Sequence, residues 1–236
     1  MESLSGTFLD AHLNGAEAPE DTMQYHHKKN VAIIVAHPDD ETLWAGGTIM
    51  SHPEWRCFVA CICRAGDTDR APRFAAALKA LGAAGSMADM DDGPEQTPLP
   101  IPAVEEQVLQ LLPHTQFDLI ITHNIAGEYT RHRRHEEVSE AVFRLWKADL
   151  LSSPELWLFA YDDGGHTHFP VADPTAGIYL SLPAPVFQHK KELITGIYGF
   201  SQDSWEAQIT PPAEAFWTFS TVAGAEQWLN SNRITP

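Results

Sequence analysis

Val31-Ala-Ile-Ile-Val-Ala36, followed at once by His37-Pro-Asp-Asp-Glu41, decides how the rest of the chain is read. Six consecutive apolar residues, four of them β-branched, describe a strand buried on both faces, the habit of parallel sheets. The polar run begins where that strand must end. Thr42-Leu-Trp-Ala-Gly-Gly-Thr-Ile-Met50 then reads as a helix. Open α/β sheets bind ligands beyond the carboxyl ends of their strands, and a helix N-terminus favours anionic groups. Pro38 biases His37 towards an extended backbone, so the turn can bring His37 and Asp40 to one side while Asp39 faces another. An imidazole with a carboxylate suits zinc, and a second carboxylate beside them suits proton transfer.

Working outward, apolar runs place further strands at 56–63, 86–90, 117–123 and 156–161. Helical periodicity marks 70–81, 104–112, about 135–147 and 186–197, the last of which reads as the final well-formed helix. Strands alternating with helices imply one α/β domain over 1–236, a Rossmann-like, mainly parallel sheet with helices on both faces. Residues 1–28 read as an N-terminal arm, 91–102 as an acidic, Pro-rich loop and 160–236 as a less regular, substrate-side region. Cys57, Cys61 and Cys63 are expected on one face of the second strand as buried, reduced thiols, because residues two and four apart point the same way.

Charge narrows the function classes. Lys+Arg number 15 and Asp+Glu 32, a formal net charge of −17. Nucleic acid and anionic membrane surfaces ask for the opposite sign, so no such partner is expected. No stretch approaches the roughly 20 apolar residues of a membrane span, and no apolar signal segment opens the chain. The chain therefore reads as cytoplasmic.

A second chemistry-bearing segment runs Thr122-His123-Asn124, then Gly127-Glu-Tyr-Thr-Arg-His132-Arg-Arg-His135. It also follows a strand, so it can lie on the same rim as His37. His132 and His135 are three apart and can face one way at a helix start. One can bind metal while the other reaches a substrate oxygen. Arg64, Asp67, Arg70 and Arg73 follow the second strand and could hydrogen-bond a sugar or an anionic group. Gly164-Gly165-His166-Thr167-His168 reads as a polar surface loop that could also line a substrate mouth or supply a second metal pair.

Together these segments resemble the LmbE-like, or PIG-L, family of zinc-dependent N-acetylglucosaminyl deacetylases. The resemblance rests on A-H-P-D-D-E before a Gly-rich helix start, and on G-E-Y with H-x-x-H after a later strand. It extends more loosely through Gly66-Asp67 and Arg73 to about residue 150, and to Ile197-Tyr-Gly-Phe-Ser-Gln202. It implies one Zn²⁺ per chain held by His37, Asp40 and His135. Asp39 would be the general base, and His132 would stabilise the oxyanion and protonate the leaving amine. The substrate would be a small N-acylated sugar, with Arg64, Asp67, Arg73, Asn124, Tyr129 and His166 as candidate contacts. A homo-oligomer, trimer or hexamer, is implied as well. The chain departs from the family pattern at Thr130-Arg131, where one residue is usual, and at Arg134, where an acid is usual. Two other readings compete: a two-metal phosphoesterase and a non-catalytic metal-binding module.

Overall fold

In the computed structural model, which describes residues 28–125, 127–129 and 131–232, the apolar run forms strand β1 (Asn30–Val35). Four further strands alternate with helices: α1 (Asp40–Ser51), β2 (Arg56–Cys63), α2 (Arg70–Leu81), β3 (Ala84–Met90), α3 (Ile101–Leu111), β4 (Leu119–Thr122), α4 (Arg133–Lys147) and β5 (Leu156–Phe159). β1 pairs in parallel with β2 and β4, β2 with β3, and β4 with β5. Then come β6 (Tyr161–Asp162), β7 (Val171–Ala172), β8 (Ile178–Ser181), α5 (Ala184–Glu192), α6 (Trp205–Ile209), β9 (Ala213–Phe219) and α7 (Val222–Ser231). The main sheet has the order β3-β2-β1-β4-β5-β9-β8, and β6 and β7 form a separate pair. This is a single α/β domain with a mostly parallel sheet.

Alternation along β1 shows why the run had to be apolar throughout. Val31, Ile33 and Val35 join the core that includes α1 and α2, whereas Ala32, Ile34 and Ala36 join the core that includes α3 and α4. α2 stops at Gly82, whose φ of 68° is the left-handed cap that glycine adopts without a Cβ penalty.

Several elements differ from expectation. β4 is shorter than 117–123. The helix expected over 186–197 is α5 followed by a π-helical turn, Leu193–Ile197. It is not the last regular element, since α6, β9 and α7 follow. β9 was hidden because an acid sits inside it: Glu214 is fully buried. Its carboxylate accepts from Lys190 Nζ at 2.6 Å, the Gly47 and Thr48 amides at 2.7 Å each, and Thr48 Oγ1 at 2.6 Å. The three cysteines are free and buried, but they do not share one face. Register shifts between Cys61 and Cys63, so Cys57 and Cys61 pack in one core and Cys63 in the other. The arm expected over 1–28 lies, apart from Lys28, outside the described residues.

Candidate active site

β1 and β4 are sheet neighbours, while the chain runs outward from β1 to β2 and β3 before returning to β4. The carboxyl ends of these two strands therefore flank a topological switch point, where open sheets hold ligands. His37 stands just past β1, His123 just past β4, and Asp40 begins α1. His132 caps α4 in an extended conformation and His135 lies in its first turn. Their rings stack with centroids 4.3 Å apart, so the pair does face one way.

Three donor atoms converge. His37 Nδ1 lies 3.1 Å from His135 Nε2 and 3.4 Å from Asp40 Oδ2, and His135 Nε2 lies 3.5 Å from Asp40 Oδ2. Four ligands at bond lengths near 2.0–2.1 Å around a tetrahedral metal stand about 3.3 Å apart. The triangle could thus hold such an ion. The outer ring nitrogens are backed by carboxylates: His37 Nε2 faces Asp92 Oδ1 at 3.2 Å, and His135 Nδ1 faces Glu128 Oε2 at 2.7 Å. That is the arrangement that orients metal-binding imidazoles.

The local field points the same way. Burial works against the His37 imidazolium, yet Asp40 and Asp92 outweigh it and lift its pKa to about 10. Burial likewise opposes ionisation of Asp40, but His135 and His123 hold its pKa well below the usual carboxylate range. A site that holds a proton this firmly also favours a cation.

His123 completes the wall, and both its ring nitrogens are already engaged. Its Nε2 accepts the Ala36 amide proton at 2.9 Å, so that lone pair is in use, and its Nδ1 is bonded to Glu128.

Asp39 lines the same cleft beside Asp40. Its φ of 142° is a conformation that costs a non-glycine residue strain. Burial, then the charge of Asp40, pushes its carboxyl well above the ordinary range. Arg70 Nη1 stands 3.8 Å from Asp39 Oδ2. His132 Nδ1 is buried and has no hydrogen-bond partner among the described residues. Burial, with His135 and His37 beside it, lowers the His132 pKa to about 4.

These groups open on a cleft of about 980 Å³. Of the expected substrate contacts, Arg64 and Tyr129 line it, whereas Asp67, Arg73, Asn124 and His166 do not. Asp67 accepts the Asp69 and Arg70 amides at the start of α2. Arg73 bonds Asp69 and the Ile197 carbonyl. Asn124 borders a separate groove beside α4 and α7, and the His166 side chain pairs with Asp163 at the surface. Thr130 lies outside the described residues. Arg134, fully buried, donates to the Asp91 and Thr97 carbonyls and to Glu137. The residue that breaks the family pattern thereby ties the 91–97 loop, and Asp92 with it, to α4.

Asp92, Glu128 and His123 are the neighbours that sequence reasoning left without a role in the site. Glu128 stands inside the G-E-Y motif and His123 at a strand end, so position alone offered a signal for both. Asp92 sits in an acidic loop where its neighbours are ordinary solvated acids.

Residues 32–146 match the PIG-L family model, GlcNAc-PI de-N-acetylase. Residues 32–146 thus carry the PIG-L, or LmbE-like, domain match, and the fold matches that of LmbE-like deacetylases. Among solved structures it is similar to N,N'-diacetylchitobiose deacetylase from Pyrococcus horikoshii, with a TM-score of 0.60 at 15% identity, over 88% of this chain and 87% of that one. It is also similar to the zinc inhibited form of teicoplanin deacetylase Orf2, with a TM-score of 0.55 at 12% identity, over 81% and 98% of the two chains. A third neighbour is GalB, the 4-carboxy-2-hydroxymuconate hydratase of Pseudomonas putida, with a TM-score of 0.52 at 15% identity, over 80% and 95%. One curated relative, the uncharacterized protein L374 of Acanthamoeba polyphaga mimivirus, is 24% identical over 152 residues, 58% of this chain. The match spans 64% of that relative's own length. The family match and the deacetylase neighbours support a deacetylase. Among the described residues no helix is long and apolar enough to cross a membrane.

Proposed function

We propose that the protein is a metal-dependent hydrolase that removes an N-acyl group, acetyl in the simplest case, from a small amino sugar or its conjugate. One Zn²⁺ per chain would be held by His37, Asp40 and His135. The observation that carries this reading is the donor triangle, with edges of 3.1, 3.4 and 3.5 Å and a carboxylate behind each ring. When bound, the ion would polarise the amide carbonyl and lower the pKa of a water. Asp39, with its raised pKa, takes the proton from the attacking water. His132, held neutral by its lowered pKa, donates its N–H to the developing oxyanion, and the proton that Asp39 took from the water passes to the leaving amine as the C–N bond breaks.

A two-metal phosphoesterase needs a second ligand set beside the first. Among the described residues, every other three-donor group shares His37 or His135 with the triangle, so none is an independent second set. A structural metal module would close all four positions with Cys and His, whereas this triangle opens on a cleft. The similarity to a hydratase means that fold alone does not choose the reaction. Acetate release from a panel of N-acetylated sugars by the zinc-loaded protein tests the choice. Phosphate release or alkene hydration without acetate would overturn it.

A further inference from the structure

Asp39 is held from two directions by one short stretch of chain far along the sequence. Tyr198 donates its hydroxyl to Glu41 Oε1 at 2.6 Å, and Glu41 Oε2 accepts the Asp39 amide proton at 3.2 Å. Glu41 is fully buried and Tyr198 nearly so. Two residues on, the Phe200 ring lies 4.3 Å from the Arg70 guanidinium, and Arg70 Nη1 reaches to 3.8 Å from Asp39 Oδ2. That Nη1 is buried and has no hydrogen-bond partner among the described residues, with the Asp39 carboxylate as its near charge.

The stretch is itself fixed. A π-helical turn, a feature frequent at functional sites, delivers it and ends with the Tyr198 amide bonded to the Leu193 carbonyl. Arg73 Nη1 donates to the Ile197 carbonyl at 3.1 Å. Gly199 has a φ of +75°, and a Cβ there would lie 2.0 Å from Arg73 Nη1. Only glycine leaves room for that brace. Arg73, expected to touch substrate, holds this stretch.

We propose that residues 197–200 form a positioning clamp on Asp39, acting on its backbone through Tyr198 and Glu41 and on its carboxylate through Phe200 and Arg70. The inference rests on the reading of Asp39 as general base. Its physical content is that the strained Asp39 backbone persists because the surroundings over-determine it. A base displaced by about 1 Å loses on the order of 10²-fold in rate.

Tyr198→Phe removes one hydroxyl and keeps the ring. It should lower kcat by about 10²-fold while KM and zinc content stay at wild-type values, a split that general loosening of the fold would not give. Its crystal structure should show Asp39 relaxed out of positive φ. Glu41→Gln, which keeps an acceptor oxygen for the Asp39 amide, should retain more activity than Glu41→Ala. A wild-type Asp39 φ in Tyr198→Phe overturns the clamp, and so does a wild-type kcat. If the wild type releases acetate from no substrate, the deacetylase reading falls while the crystal structure of Tyr198→Phe still decides the clamp.

Discussion

Asp92 Oδ1 lies 3.2 Å from His37 Nε2, on the opposite edge of the ring from the nitrogen that meets Asp40 and His135. One imidazole therefore links a loop carboxylate to the donor triangle, and Glu128 does the same for His135. Such outer partners typically contribute 10–100-fold in metal affinity. Asp92→Asn and Glu128→Gln should each weaken Zn²⁺ binding by about that factor. Competition against a chromophoric chelator measures it, and wild-type affinity in both variants would remove the carboxylates from the metal's support.

Adjacent acids should separate in their roles. Asp40→Ala deletes one of the three proposed protein ligands, so zinc content and activity should fall together. Asp39→Asn should keep its zinc and still lose about 10²–10⁴-fold in kcat, the contribution of a general base. Mass spectrometry of the metal beside kcat checks both. A zinc-free Asp39→Asn, or a zinc-replete Asp40→Ala, would exchange the assignments.

His132→Ala should retain zinc and lower kcat by roughly 10²–10³-fold, the loss seen when one oxyanion donor is removed. Metal loss in this variant, with retention in His135→Ala, would reverse the two histidines.

The depressed pKa of His132 also has a stability consequence. The folded group titrates at about 4 and the unfolded one at 6.5, so the unfolded chain takes up the proton first as pH falls. Above the unfolded pKa His132 leaves stability unaffected. Between the two values it favours unfolding increasingly as the pH drops. His132→Gln should flatten that part of the stability–pH curve, as followed by urea unfolding of chelator-treated protein. An unchanged slope would show that His132 is not held neutral.

Lys190 and Glu214 are both fully buried and 2.6 Å apart. Removing one partner of such a pair typically costs about 3–5 kcal/mol, because the other charge stays behind. Lys190→Met should lower the unfolding free energy by about that amount. Lys190→Met with Glu214→Gln should recover part of it, since the amide oxygen still accepts from Gly47 and Thr48. Calorimetry of the two variants decides whether the pair or its backbone contacts matter more.

The parallel half of the sheet was legible because its strands are buried on both faces and say so in unbroken apolar letters. Strand tips and helix starts made it legible that His37 and Asp40 lie near the His132–His135 pair, whereas the choice of His135 over His132 rests on the family resemblance. β9 was not, since a local reading penalises an acid inside a strand and cannot foresee that Lys190 and the amides of α1 will surround it. Cys63 changed faces through a register shift that no alternation rule contains. Asp92 reaches His37 because Arg134 pins its loop, a tertiary contact between distant segments. Asp67, Arg73 and His166 carry the polarity expected of substrate contacts, but their side chains hold a turn, a brace and a surface pair instead.

β9, among the last strands in sequence, is an interior strand of the sheet, paired with β5 on one side and β8 on the other. On the ribosome, all five parallel strands and every proposed zinc ligand emerge before it. Until residues 213–219 follow, β5 presents unpaired backbone groups along one side, a template for pairing with another chain. A premature stop shortly after residue 200 would leave that side open for good, in a polypeptide that already holds every residue proposed to touch the metal.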